Sequence, residues 1–154
     1  MRLAYVCADP GIPVFGSKGC SIHVQEFLRA AQGLGHELTL IAARVENAPP
    51  ADLRDVHVVH SPLPSAAKGT SRELVAYQNN EAYLSALREH APFGAVYERY
   101  SLWSTAGMAY AAEAGIPGIL EVNAPLIEEQ AQHRDLANRD LAESVARVLS
   151  LIHI

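Results

Sequence analysis

The sequence is short of the features that mark several common classes of protein. It holds two cysteines, Cys7 and Cys20, in 154 residues. That is too few for a disulfide scaffold, and their spacing is not that of a zinc site. No run approaches the roughly 18 apolar residues that a membrane span needs, and the apolar stretch from Leu3 to Ala8 is too short for a signal-peptide core. These absences predict a cytoplasmic protein without a bound metal, and they leave contact with a membrane surface open.

Basic residues are scarce as well. Twelve Lys and Arg stand against 17 Asp and Glu, for a formal net charge of −5 with histidine neutral. Nucleic-acid binding relies on clustered Lys and Arg, so we expect no nucleic-acid partner. The 49% of hydrophobic and 19% of charged residues are typical of an ordinary globular domain rather than a disordered chain. The length predicts one compact domain.

What the sequence does contain is a regular alternation of strand-length apolar runs with helical periodicities. We predict strands at 3–7, 38–42, 56–60, 95–97 and 119–122. Helices are predicted after Ser21, from about 71 to 90 and from about 103 to 114, with a last helical stretch after Pro125. Ser21 is the predicted N-cap of the first helix, and Gly33 and Gly35 end it. The alternation predicts an α/β fold with a doubly wound, mostly parallel sheet and helices on both faces.

Ligands of such sheets bind outside the carboxyl ends of the strands. Four segments follow those ends in the predicted order, and they span residues 9–20, 60–68, 98–103 and 123–129. We therefore expect these four segments to lie together and to carry the functional site.

The loop after the first strand is the most informative of the four. Residues 11–19 read GIPVFGSKG and lead into a helix N-terminus, where backbone N–H groups and the helix dipole favour an anion. Gly16 and Gly19 would let the backbone approach a phosphate closely, and Lys18 would add a positive charge. The alternative is a tight loop whose glycines only satisfy the backbone geometry. Two established fingerprints fail, because the lysine is one place late for a P-loop and the leading G-x-G of a dinucleotide site is missing.

Several motifs, taken in their order and spacing, resemble the family-four glycosyltransferases. They read VFGSKGCSIHV over 14–24, GHELTL over 35–40, YERYSL over 97–102, GIP over 115–117 and EVNAPL over 121–126. The resemblance extends over residues 1–148. It implies a Rossmann-like domain that forms the N-terminal, acceptor-side half of the GT-B architecture, in which two such domains face each other across a cleft. The C-terminal donor domain is absent from these 154 residues.

The resemblance also implies a reaction. The parent protein would transfer a glycosyl group from a nucleotide-sugar donor to a sugar, glycan, lipid-linked or small-molecule acceptor, with retention of anomeric configuration and without a metal or other cofactor. Four loop residues would contact the donor diphosphate: Gly16, Ser17, Lys18 and Gly19. Four further residues are candidates for lining the acceptor cleft: Glu98, Arg99, Tyr100 and Asn123.

The sequence departs from the family pattern where chemistry would take place. Many members have a histidine after the fifth strand, where this chain has Asn123-Ala124-Pro125, and the two glutamates of the donor site belong to the second domain. We therefore assign no catalytic residue and expect the fragment alone to be inactive. Residues 149–154, which read LSLIHI, are expected to be a non-native end of a truncated gene.

A second hypothesis does not require another domain. The chain would then be a stand-alone Rossmann-like module that binds a phosphorylated ligand or a protein partner without catalysis. On either hypothesis the sequence leaves the sugar, the nucleotide and the acceptor unspecified.

Overall fold

The fold is built on a five-stranded sheet. The structure is a computed structural model, which describes residues 1–133 and 136–152. Its strands are β1 (Arg2–Cys7), β2 (Glu37–Ala42), β3 (His57–His60), β4 (Ala95–Arg99) and β5 (Gly118–Glu121). Every pair is parallel, and the order across the sheet is β3-β2-β1-β4-β5. The prediction of a Rossmann-like, doubly wound α/β fold is therefore confirmed.

Six α-helices are found among the described residues. They are α1 (Gly19–Gly33), α2 (Arg72–Gln78), α3 (Asn80–Glu89), α4 (Ala106–Ala114), α5 (Leu126–His133) and α6 (Arg139–Ile152). The apolar side of α1 packs on one face of the sheet, while α3, α4 and α6 pack on the other. Helices thus cover both faces, which is why the central strand β1 reads as a continuous apolar run.

Cys7 shows that the centre of the sheet is fully buried. It is the last residue of β1 and is buried among the side chains that α1 covers, as its apolar surroundings predict. Burial raises the pKa of its thiol to about 12. The thiol is therefore protonated at neutral pH and acts as a small core residue rather than a nucleophile.

The first helix begins earlier than the sequence pattern predicts. α1 starts at Gly19, so Ser21 lies within its first turn, and the prediction that Ser21 is the N-cap is wrong. Lys18 takes that position with extended backbone angles of φ −72° and ψ 155°. At the other end, Gly35 has a φ of +79° and directly follows the C-cap Leu34. The predicted stop is confirmed, since this left-handed conformation favours glycine.

The predicted helix over 71–90 is two helices. α2 ends at Gln78 and α3 begins at Asn80, where the Asn80 side chain donates to the carbonyl oxygen of Tyr77 at 2.7 Å. The next helix starts at Ala106 rather than near Trp103, because Ser104 and Thr105 use their polar groups to contact Glu98 and Asn80. Asn80 and Glu98 accept from N–H groups at the start of α4 that have no partner within the helix, and so they fix where α4 begins.

The last helical stretch also divides into two helices, α5 and α6. Their first turns carry acidic residues, among them Glu128 in α5 and Asp140 in α6, which favours a helix N-terminus electrostatically. The expected non-native end at 149–154 falls partly outside the described residues, which stop at Ile152.

Candidate functional site

A cavity of about 950 Å³ opens at the carboxyl edge of the sheet. Its walls include residues of all four predicted segments, from the stretches 8–11, 63–66 and 101–104 and from Leu126 and Gln130. β1 and β4 lie side by side here, and the strand order reverses between them. Ligand sites of open α/β sheets lie at such a point. The structure thus brings together the four segments that the sequence singles out.

Two further parts of the wall were missed by sequence reasoning. Residues of α2 cover the cavity, although none of the seven residues of this helix is buried. The Glu73 carboxylate accepts a 2.9 Å hydrogen bond from the backbone N–H of Ala137, so α2 is tied to the segment before α6. Tyr83 of α3 forms another part of the wall and is 1% exposed. No local motif marks either feature, because both depend on contacts between distant segments.

The glycine loop is held in place by two side-chain amides. Gln25, buried in α1, donates to the carbonyl oxygens of Val14 at 3.0 Å and Gly16 at 2.9 Å. Asn47 donates to the carbonyl oxygen of Phe15 at 3.1 Å. The backbone N–H groups of Val14 and Phe15 in turn donate to carbonyl oxygens of residues 44 and 45. The loop is therefore ordered by the fold itself.

The two glycines of the loop differ in what they do. A Cβ at Gly16 would lie 2.9 Å from Cγ of Pro13 and 3.0 Å from its carbonyl oxygen, so packing excludes a side chain there. A Cβ at Gly19 would meet no atom within 4 Å among the described residues. Gly16 is thus explained by the fold, whereas Gly19 leaves open space at the start of α1.

The end of this loop presents a helix N-terminus to solvent. Ser17, Lys18 and Gly19 are exposed, and the first hydrogen bond of α1 runs from the N–H of Ile22 to the carbonyl oxygen of Lys18 at 2.9 Å. The N–H groups of residues 19–21 thus have no partner within the helix. In the part of the chain that the structure describes, the Lys18 side chain makes no capping bond either.

Glu98 does not line the cleft, so its expected role as an acceptor-cleft residue is corrected. Its side chain is 1% exposed and faces the start of α4, where it accepts hydrogen bonds from the Ser104 hydroxyl and, at 3.0 Å, from the backbone N–H of Met108. Burial raises the pKa of this carboxyl above its ordinary value, while the hydrogen bonds oppose the rise. The carboxylate caps α4 and fixes the loop that leads into it.

Arg99 belongs to a charged cluster on the opposite face of β4. Its guanidinium donates to the Glu121 carboxylate at 2.8 Å, and the two side chains are 12% and 11% exposed. Nε2 of His23, in α1, lies 2.6 Å from the same Glu121 oxygen. Burial and the charge of Glu121 raise the pKa of neighbouring Tyr97 to about 12. Arg99 is thus tied into an ion pair whose partner, Glu121, sequence reasoning did not single out.

Tyr100 and Asn123 lie away from the larger cavity. Tyr100 is half-buried and contacts a second, apolar pocket of about 320 Å³ beside β5, α5 and α6. Asn123 is exposed just after β5. Both follow the carboxyl end of a strand, as predicted, so they remain at the edge of the sheet that the cleft would occupy.

Asn80 fixes the wall of the cavity that carries Trp103. Its side-chain nitrogen donates to the carbonyl oxygen of Trp103 at 2.8 Å, and its side-chain oxygen accepts from the N–H of Thr105 at 2.8 Å. Asn80 is itself buried. One amide therefore sets the backbone path of the loop between β4 and α4.

Two kinds of feature are absent from the described residues. Among residues 1–133 and 136–152, no group of three or more His, Cys, Asp or Glu side chains is placed to hold a metal ion. Within the same ranges, no helix combines the length and apolar character needed to cross a membrane.

Comparison with known proteins supports the fold class but no particular function. Neither a protein-family profile nor a curated protein matches the sequence. Two crystal structures of the C-terminal domain of a hydrogenase from Pyrococcus furiosus are similar in fold. One has a TM-score of 0.54 at 14% identity over 78% of this chain and 89% of that one. The other has a TM-score of 0.57 at 12% identity over 79% and 90%.

Proposed function

We propose that this chain is the N-terminal, acceptor-side domain of a retaining GT-B glycosyltransferase. The observation that carries the proposal is the position of the exposed segment 17–19, which joins β1 to α1 at the same edge of the sheet as the 950 Å³ cavity. An enzyme of this class needs a site for a diphosphate leaving group and space for an acceptor. We assign both roles to the carboxyl edge of this domain.

The diphosphate would bind at the start of α1. Free N–H groups and the positive end of a helix dipole stabilise phosphate oxygens, and Lys18 adds a full positive charge next to them. Gly19 leaves room for a phosphate to approach the backbone, since nothing described lies within 4 Å of its added Cβ. Gly16 supports this arrangement indirectly, because it allows the close turn against Pro13.

The proposal extends to partners and location. The donor is a nucleotide sugar, the acceptor is a sugar or lipid-linked molecule, and the protein acts in the cytoplasm without a metal. Stabilisation of the departing diphosphate then falls to protein dipoles and cations. We assign no catalytic residue, and the transition state would require groups from a second domain.

A stand-alone module that binds a phosphorylated ligand is the second candidate. The observation that favours it is that this chain alone carries both the exposed start of α1 at residues 17–19 and, at the same edge of the sheet, an open cavity of about 950 Å³, near the upper end of the roughly 300–1,000 Å³ typical of small-molecule sites. A complete site of this kind would bind its nucleotide in the micromolar range or tighter. A half-site would bind the nucleotide far more weakly.

The gene provides the decisive experiment. The genomic sequence should be read downstream of codon 148, and the protein it encodes should be incubated with pooled nucleotide sugars while the release of nucleoside diphosphate is measured. We expect the gene to encode a second Rossmann-like domain with two donor-site glutamates. We also expect the transferred sugar to retain its anomeric configuration. A reading frame that continues without such a domain would contradict the proposal.

A further inference from the structure

We infer that residues 62–78, called the flap below, open and close over the 950 Å³ cavity as one unit and are held shut by the hydrogen bond between Glu73 and Ala137. The flap comprises most of the loop after β3 together with the helix α2. Such a flap controls the access of a ligand to the cavity and excludes water once the ligand is bound. The inference goes beyond the proposed function and does not depend on it, because it is argued from packing and hydrogen bonds alone.

The first observation is that the flap has no part in the core. None of residues 62–78 is buried, and none belongs to either of the two apolar clusters that flank the sheet. By contrast, α3 directly follows the flap and buries Tyr83 and Leu87. A segment with few buried apolar contacts opens locally at a small cost in free energy, whereas a helix of the core is released only when the domain unfolds.

The second observation is that both ends of the flap are fixed. Just before it, the N–H of Ser61 donates to the carbonyl oxygen of Ala42 at 2.9 Å, which holds the chain against the sheet. Just after it, Asn79 and Asn80 are 7% and 8% exposed, and the Asn80 side chain is bonded to the loop between β4 and α4. Gly69, with a φ of +87°, bends the chain between these anchors. Movement of residues 62–78 is therefore that of a flap attached at both ends.

The third observation is that one contact closes the flap. The Glu73 carboxylate accepts from the backbone N–H of Ala137 at 2.9 Å. Among the described residues, the other hydrogen bonds of the flap lie within it or at its junction with α3. Ala137 directly precedes Asn138, whose side chain accepts from the N–H of Leu141 at the start of α6. The Glu73 bond therefore ties the flap to the start of α6, and without it the flap is attached only at its ends.

The fourth observation is that the flap forms one wall of the cavity and the core of the fold forms another. The loop part of the flap lines the cavity through residues 63–66, and α2 lines it through residues that include Val75 and Ala76. The remaining wall includes residues 8–11 and 101–104, which follow β1 and β4. Opening of the flap would thus convert the cavity into a cleft, while the wall that continues the strands stays in place.

Hydrogen exchange of the 154-residue chain is the first test. Relative to their intrinsic rates, the backbone amides of residues 75–78 in α2 should exchange at least about tenfold faster than those of residues 84–87 in α3, because opening of the flap exposes only the first set. Equal protection of the two sets would overturn the inference, since α2 would then open only when the whole domain unfolds.

Removal of the Glu73–Ala137 bond from either side is the second test. Glu73→Ala removes the acceptor, while Ala137→Pro removes the donor and leaves the sequence of α2 unchanged. Each variant should speed exchange at residues 75–78 about 2- to 10-fold, as expected for the loss of one hydrogen bond, and the double variant should add little. Exchange at residues 84–87 should not change. The control Glu89→Ala, at the exposed end of α3 and outside the cavity wall, should change neither set.

Thiol labelling tests whether the cavity opens together with the flap. Ser101 lines the cavity and is 7% exposed, so Ser101→Cys places a thiol beneath the flap in a chain that also carries Cys20→Ser. Cys7, which is 1% exposed in the core beneath α1, reports unfolding of the domain. The rate at which an aromatic disulfide reagent modifies the Ser101→Cys thiol should rise with Glu73→Ala by the same factor as exchange in α2. The rate at Cys7 should not rise.

Three results of the variant experiments would overturn the inference. They are unchanged exchange in α2 when Glu73 or Ala137 is replaced, equal acceleration of α2 and α3, and a labelling rate of the Ser101→Cys thiol that does not rise. A variant that unfolds is recognised because Cys7 is then labelled as well, and the exchange rates of the natural chain still decide. None of these measurements involves a nucleotide or a second domain, so the inference and the proposed function can fail separately.

Discussion

Gln25 and Gly16 are joined by a 2.9 Å hydrogen bond from the side-chain amide to the carbonyl oxygen. The same amide nitrogen also donates to the carbonyl oxygen of Val14 at 3.0 Å. One residue of α1 thus holds the loop that leads into α1. The part of the loop that precedes the candidate phosphate site is therefore held by the fold itself.

Replacing Gln25 should loosen that loop. Gln25→Leu keeps most of the volume but leaves two carbonyl oxygens without their donor, which should lower the free energy of unfolding by about 1–3 kcal/mol. Amide exchange at residues 16–18 should become faster. Urea unfolding and hydrogen exchange measure the two effects. Gln32→Leu, in the same helix, serves as the control and should change stability by less than about 0.5 kcal/mol; equal effects of both variants would refute this account.

The glycines of the chain provide a second comparison. Gly16→Ala places a Cβ 2.9 Å from Cγ of Pro13 and 3.0 Å from its backbone oxygen, and such overpacking costs about 1–3 kcal/mol. Gly33→Ala, in open space at the end of α1, should be neutral or stabilise by up to about 1 kcal/mol. Chemical denaturation of both variants tests this. Equal stability of the two would show that Gly16 is not required by packing.

Glu98 should make stability depend on pH. Its pKa is raised in the folded state by burial, so folding favours the protonated form. Its stabilising contribution is fully present below the ordinary pKa of about 4.3 and is lost as pH rises through the raised folded pKa.

Glu98→Gln keeps a donor for Ser104 and an acceptor for Met108 but cannot titrate. Its unfolding free energy, minus that of the natural protein, should therefore rise from acid pH toward neutrality, with a slope of at most about 1.4 kcal/mol per pH unit. Urea unfolding at intervals between pH 4 and 8 measures the difference. A difference that is flat over this range, or that falls, would contradict the assignment.

The Arg99–Glu121 ion pair should contribute more to the free energy of unfolding than an exposed ion pair does. Because removal of Arg99 leaves the largely buried Glu121 carboxylate with only His23 beside it, Arg99→Met should destabilise by about 3 kcal/mol. The double variant Arg99→Met, Glu121→Gln should cost less than the sum of the two single variants.

The matched control is Arg88–Glu113, whose side chains are about half exposed. Exposed pairs contribute about 0–1 kcal/mol. A double-mutant cycle on each pair gives the two coupling energies. If the coupling at Arg99–Glu121 does not exceed that at Arg88–Glu113, the buried cluster is not a stabilising feature.

The pattern of the sheet could be predicted from the sequence because parallel strands buried on both faces leave continuous apolar runs. Because parallel strands all end at the same edge of a sheet, the loops that follow them could be placed at that edge. The predicted start of a helix was wrong where side chains from distant segments determine it. Asn80 and Glu98 draw residues 104 and 105 out of the helix that the alanine-rich pattern predicts.

The candidate site could likewise be predicted only in part from the sequence. The glycine loop could be found from local spacing, whereas the parts of the cavity wall that α2 and α3 supply could not, because contacts between distant segments place them there. Glu98 was misassigned because side chains within a strand alternate between its two faces, and at this position of β4 the side chain faces α4.

The most direct test of the central claim is a titration of the chain with uridine, guanosine and adenosine diphosphates, followed by backbone amide chemical shifts. The account predicts weak binding of at least one of them, with a Kd of about 1 mM or above because a half-site offers few contacts, and with the largest shifts at residues 17–20. Gly19→Val should weaken this binding at least fivefold, while the matched Gly33→Val should leave it unchanged. Shifts centred away from this loop, or equal affinity of the two variants, would contradict the claim that the start of α1 is the diphosphate site.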